Sequence, residues 1–228
     1  MKNKKFIVWL LVFCLLFAGC GKVKKEAAET AAAGVPETVA AEQTDPAQAI
    51  MPLPDTTMEN LTDAILSVSL EEGKAYVDDG GIMQMDLKIY TYDKYDMVDI
   101  ANLQVGDMIF RHSGEVVVTS KEQNESGTVL INGGLENGGF DLVTDEDGIF
   151  YEMGFSDVKN WYEVGEATIR VSADFQGIDH ADLDLGEVIL YPGDFLVGAV
   201  TNYDFTPYNT TVRVEGGQII EMNRRYIP

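Results

Sequence analysis

The chain has 228 residues and a formal net charge of −22, with 38 Asp and Glu against 16 Lys and Arg. Phosphate binding needs a basic face, so this balance argues against a nucleic-acid partner and suits cations or neutral ligands. Cysteines occur only at positions 14 and 20, which leaves no disulfide framework, so stability must come from a packed core, for which the length suffices.

In chain order, Met1-Lys-Asn-Lys-Lys5 is followed by thirteen apolar or small residues, Phe6 to Ala18. A basic start and a short apolar run predict a signal peptide over residues 1–19. A helix needs about 20 apolar residues to span a bilayer, so the run is too short to be a comfortable permanent anchor. The residues Phe17-Ala18-Gly19-Cys20 resemble the lipobox of bacterial lipoproteins, in which small residues precede a cysteine that is lipidated before cleavage. The resemblance covers only the first twenty positions. It implies cleavage before Cys20, acyl chains of the palmitate kind on that cysteine, and a protein held outside the cytoplasm on the cell membrane. Two buried chains anchor stably where one does not. Lys22, Lys24 and Lys25 would then rest on anionic head groups.

Residues 20–57 are rich in Ala, Glu, Thr and Pro and poor in aromatic and branched apolar residues. Such a composition buries too little apolar surface to offset the entropy of ordering, so a disordered acidic tether with a reach of about 30 to 36 Å is expected.

The body, residues 58–228, is predicted to be all-β, an antiparallel β-sandwich or barrel-like domain. Met83, Met85, Leu87 and Ile89 alternate with Gln84, Asp86, Lys88 and Tyr90, the period of a half-buried strand. Further strands are expected over 108–111, 115–120, 128–132, 140–144, 149–153, 167–172, 187–191, 195–202, 210–215 and 218–223, separated by Gly- and Asp-rich turns. Helix is expected at most within 57–66 and as a turn near 156–162. Two subdomains meeting near 132–139 are an alternative to a single sheet pair. The pentapeptides Leu103-Gln-Val-Gly-Asp107 and Leu190-Tyr-Pro-Gly-Asp194 hint at an internal repeat.

Three segments bear on chemistry. If 179–185 is extended, His180, Asp182 and Asp184 share one face, and with Asp179 or Glu187 adding oxygen they form a candidate cation site, calcium being one candidate ion; a solvated strand face is the simpler reading. Asp145-Glu-Asp-Gly148 and Asn132-Gly-Gly-Leu-Glu-Asn-Gly-Gly139 read better as turns than as a calcium loop or an anion cradle. Tyr90, Tyr92, Trp161 and Tyr162 are candidate ligand-binding aromatics, since ring faces stack on the C–H surface of sugars, although such residues are often half-buried for structural reasons. His112 reads as an exposed turn residue and no nucleophile motif is present, so catalysis is not indicated. The closing run 208–226 predicts a hairpin in which Val212 and Val214 face Ile219 or Ile220, with Arg213, Arg224 and Arg225 binding carboxylates of the acidic body. These readings lead to a lipid-anchored extracytoplasmic binding or interaction module of the cell envelope, with a glycan, a cation or an envelope protein as partner. The alternatives are a carboxylate-dependent polysaccharide hydrolase and a structural partner of an envelope or export complex.

Overall fold

The computed structural model describes residues 47–154, 158–200 and 203–227. The signal peptide, Cys20 and most of the tether lie outside the described residues. In chain order the elements are β1 (Ala49–Ile50), β2 (Ala64–Ser69), β3 (Ala75–Val77), β4 (Met83–Thr91), β5 (Lys94–Tyr95), α1 (Met97–Asn102), β6 (Met108–Arg111), β7 (Gly114–Val117), β8 (Lys121–Gln123), β9 (Val129–Ile131), β10 (Phe140–Thr144), β11 (Phe150–Met153), β12 (Tyr162–Asp179), β13 (Val188–Leu190), α2 (Pro192–Leu196), β14 (Thr210–Glu215) and β15 (Gln218–Arg224). The body is all-β, as the alternating sequence predicts.

Its centre is a closed five-stranded barrel. β2 pairs with β4, β4 with β12, β12 with β15, β15 with β14, and β14 with β2. Closure depends on the length of β12. Its first half, from Tyr162 to Arg170, pairs with β4, and its second half, from Arg170 to Asp179, pairs with β15. Two register shifts, at Glu163/Gly165 and Val171/Gln176, let one strand serve both neighbours, as bulges do where sheets bend. The β12–β15 and β1–β6 pairs are parallel, so the sheets are mixed and not purely antiparallel. A closed barrel leaves few open edges; β3 and β13 flank it.

Alternation explains what fills the barrel. Along β4, Met83, Met85, Leu87 and Ile89 are buried while Gln84, Asp86, Lys88 and Tyr90 face out. Leu66, Val68, Ile169, Val171, Val212, Val214, Ile219 and Met222 complete the interior. α2 delivers Phe195 into this core, where its ring lies 6.0 Å from those of Phe175 and Phe205.

A second core is built mainly from the chain between β4 and β12, with β1 added from ahead of the barrel. It joins the sheet β5-β11-β10-β9-β8 to the sheet β1-β6-β7 around Tyr95, Ile100, Ile109, Ile131, Phe140 and Leu142. Residues 132–139, the junction in the two-subdomain alternative, form the link between β9 and β10 within this second core. Ile50 is 1% exposed in the same core, and Met108 donates its backbone N–H to the Gln48 carbonyl. The ordered body therefore starts before residue 58, because a two-residue strand carries too little pattern to announce itself.

Periodicity does not predict the two helices, and α2 occupies part of the strand expected at 195–202. Each is too short to display a 3.6-residue repeat, and each is fixed by side chains instead. The Asp96 carboxylate accepts from the Val98 N–H at the start of α1, a standard N-cap. At its other end Lys121 Nζ donates to the carbonyls of Ile100, Ala101 and Leu103 at 2.7, 3.0 and 3.1 Å, a cation on the negative end of the dipole. Within 57–66 only the single 3-10 turn Thr57–Glu59 forms before β2 begins. The closing hairpin has Val214 opposite Ile219 and Val212 opposite Met222. Arg213 pairs with Glu215 and Glu221, and Arg224 with Asp179.

Candidate functional site

The β4–β12 ladder turns one polar face outward. Thr168 lies opposite Asp86, Glu166 opposite Lys88 and Glu163 opposite Tyr90. Ser69, Glu71, Lys74, Asp86, Lys88, Glu166 and Thr168 line an open groove of about 460 Å³ on this face, within the size range of small-ligand clefts. The groove is laced with hydrogen bonds. Asp86 Oδ1 accepts from Thr168 Oγ1 at 2.7 Å and from Tyr76 Oη at 3.2 Å, and Lys74 Nζ lies 3.8 Å from the other oxygen. Lys88 Nζ donates to Glu71 Oε1 at 2.8 Å, and this bond and charge hold the Glu71 carboxyl below its usual range. Ser69 and Tyr90 share a hydroxyl hydrogen bond of 3.2 Å. The lining is thus a row of alternating acids, ammonium groups and hydroxyls on a rigid sheet.

Further along the same ladder the face becomes aromatic. Because Tyr162 lies opposite Thr91, the neighbouring Tyr92 and Trp161 meet edge to face with centroids 4.9 Å apart, and Tyr151 of β11 joins them 5.7 Å from Tyr92. Lys159 Nζ sits 4.0 Å from the centre of the Tyr92 ring and 4.9 Å from that of Tyr151. From Asp86 to Tyr92 the strand covers about 20 Å.

Of the four aromatics singled out from sequence, Tyr92 and Trp161 are brought together and Tyr90 lies beside Ser69. Tyr162 points elsewhere: its ring stacks on exposed His112 at 3.8 Å, and its hydroxyl donates to buried Asp93 at 3.2 Å. Burial first, and then the Asp93 charge and hydrogen bond, push the Tyr162 hydroxyl up to about 12. Nearby, buried Glu152 holds Arg111 Nε at 3.1 Å and Asn160 Nδ2 at 2.9 Å; burial raises its pKa against the opposing pull of Arg111. Sequence reasoning missed Tyr151 and Lys159, and it noted Asp86 and Lys88 only as the polar side of a strand.

The candidate cation segment adopts a different shape from the one it would need. β12 ends at Asp179, and residues 181–185 turn instead of extending. Asp182 Oδ1 accepts from the N–H groups of Asp184 and Leu185, the local bonding that makes Asp a turn former. The Asp179 carboxylate is taken by Arg224 and by the Ala181 N–H. His180 reaches Glu187 at 3.7 Å. Among the described residues no three His, Cys, Asp or Glu side chains converge as a metal site. The other segments behave as turns. Asp145 Oδ1 accepts from the N–H groups of Asp147 and Ile149, and the Asn132 side chain ties Thr119, Ser120 and Val117 together. No family model, curated protein or solved structure matches the chain.

Proposed function

We propose that the chain is a lipid-anchored extracytoplasmic module that binds a glycan along the outer face of the β4–β12 ladder. The observation that carries this reading is the open groove in which carboxylates, ammonium groups and hydroxyls alternate on a rigid sheet, a lining suited to a ligand rich in hydroxyls. Five-stranded Greek-key barrels of the OB kind bind oligosaccharides or oligonucleotides on a sheet face. This is an analogy of architecture alone, and the charge of −22 favours the sugar over the nucleic acid. The groove is open, and its Glu71 carboxyl is held low by Lys88; a glycoside hydrolase instead needs a carboxylic acid of raised pKa across a cleft from its partner.

Isothermal titration of the protein with soluble wall and plant oligosaccharides tests the reading. At least one should bind, and Asp86→Ala or Lys88→Ala should weaken it about tenfold, the equivalent of ~1.4 kcal/mol. A panel without binding, or binding indifferent to both substitutions, removes the support. Anchoring is tested separately: Cys20→Ala should move the protein from the membrane fraction to the soluble fraction of its host, and unchanged membrane retention argues against lipid on that cysteine.

A second reading has its own observation. Leu183, Leu185, Leu196 and Val197 are exposed, the first two beside a depression of about 590 Å³ lined also by Val188, Leu190 and Val200. Exposed apolar patches of this kind mark protein contacts, as a structural partner in the envelope would require. Binding of an envelope protein lost in Leu183→Ser and Leu185→Ser, but kept in the groove variants, would favour it.

A further inference from the structure

The aromatic end of the β4–β12 face holds two lysines that form no ion pair with a described carboxylate. Lys159 Nζ lies 4.0, 4.9 and 5.9 Å from the ring centres of Tyr92, Tyr151 and Trp161, and donates a 2.7 Å hydrogen bond to Tyr92 Oη. Lys94 Nζ lies 5.0 Å from the same Tyr92 ring. With both ammonium groups near one ring centre, they are at most about 9 Å apart. Neither forms an ion pair with a described carboxylate, in a chain that carries 38 acids. Ring faces attract a cation but leave its charge in place. An ammonium group has three donors, and the phenol of Tyr92 takes one from Lys159.

We infer that this end of the face is a subsite for the carboxylate of an acidic sugar, so that the glycan is a polymer containing uronic acid; the inference rests on the glycan reading above. Two half-buried ammonium groups beside rings offer a carboxylate charge-assisted hydrogen bonds, which are about twice as strong as neutral ones. The rings supply the apolar wall that a sugar ring packs against. The acidic body does not forbid this. The groove carboxylates Glu71 and Asp86 stand at Lys88 and beyond, about 13 Å or more along the strand from Tyr92; Glu163, opposite Tyr90, is nearer, about 7 Å away, and two ammonium groups outweigh its single charge.

Isothermal titration of the protein with a short oligogalacturonate, with its fully methyl-esterified form and with inorganic phosphate decides the matter. The acid should bind about tenfold tighter than the ester, with the preference shrinking as salt is added. Lys94→Gln and Lys159→Gln should each cut that preference to about threefold or less. Equal affinity for acid and ester overturns the anion subsite and leaves the glycan reading standing; failure of both to bind also overturns the subsite, and the glycan reading then falls only if the whole oligosaccharide panel fails to bind. A preference that survives in Lys94→Gln, which leaves the ring cluster and its Lys159 in place, also overturns the subsite. So does phosphate binding as tightly as the acid oligomer, which would mark a site for any small anion.

Discussion

Replacing Asp179 with Ala should cost about 3 kcal/mol of folding stability and lower the thermal midpoint by roughly 6 to 12 °C for a body of this size. The reason is what it leaves behind. Arg224 is 5% exposed, its guanidinium lies over the Phe205 ring at 4.2 Å, and it donates through Nε to Asp179 Oδ1 at 2.9 Å and through a second nitrogen to Oδ2. Without the carboxylate, a buried guanidinium loses two charge-assisted hydrogen bonds and the charge that accepts them. Replacing both residues of the pair by apolar ones removes the buried charge together with this carboxylate, so Asp179→Leu/Arg224→Met should recover more than half of the loss. Burial alone would raise the Asp179 carboxyl, but the hydrogen bonds from Arg224 and the Ala181 N–H, with the guanidinium charge, hold it below its ordinary value of 3.8. A lowered carboxyl contributes its stability above the unfolded value and loses it as pH falls through the folded one. The wild type should therefore weaken on acidification below about pH 4, and the Asp179→Ala variant less steeply. Differential scanning calorimetry across pH checks both statements; a variant within ~1 kcal/mol of wild type would show that the pair is not buried in solution. Calcium should leave the effect of the substitution unchanged, since this carboxylate already has its cation.

Asp179 also shows where sequence reading succeeds and where it stops. Alternation in β4 identifies a half-buried strand and names the buried residues correctly, because the period of two is a local property of one chain segment. β10 and β14 begin and end where their β-branched and aromatic runs do. Closure of the barrel is not local. β12 runs for 18 residues, twice the length of β4, but its two bulges break the alternation, so only its middle reads as a strand. The parallel pairing to β15 leaves no trace in either strand. The aromatic cluster is half legible for the same reason: Tyr92 and Trp161 are visible as rings, but the register that joins them, and the Lys159 that binds 67 residues away from Tyr92, belong to the tertiary fold. The segment 179–185 misleads because alternating Asp residues suit a strand face and a turn alike, and Asp182 satisfies its own backbone first. The two Leu-x-x-Gly-Asp pentapeptides make the point in reverse. In both, the Asp side chain accepts from the N–H three residues earlier, Gln104 in one and Tyr191 in the other. One then enters strand β6 and the other helix α2, so five residues determine a turn and leave the type of the next element open.

Gly139→Ala should destabilise the protein by about 3 kcal/mol or more, although the glycine occupies an ordinary turn sequence. A Cβ at this position would be driven into the carbonyl oxygen of Ile131 and would meet the Asn132 carbonyl at 2.7 Å from oxygen and 2.9 Å from carbon. All three atoms are backbone, held in the β9–β10 hairpin by pairing of Ile131 with Phe140. Both of those side chains are at most 1% exposed, so the strand cannot retreat without opening the second core. The neighbouring Gly138 provides the control. Its φ is +85° and nothing lies within 4 Å of the added carbon, so Gly138→Ala meets only left-handed backbone strain of about 1 kcal/mol. Within the one unit Asn137-Gly-Gly139, Gly138 supplies a positive φ and Gly139 supplies space. Urea unfolding of the two variants separates the roles: Gly139→Ala should lose at least twice as much stability as Gly138→Ala. Equal losses would mean that the approach of Gly139 to the β9 backbone is looser in solution, and that turn geometry alone governs the hairpin.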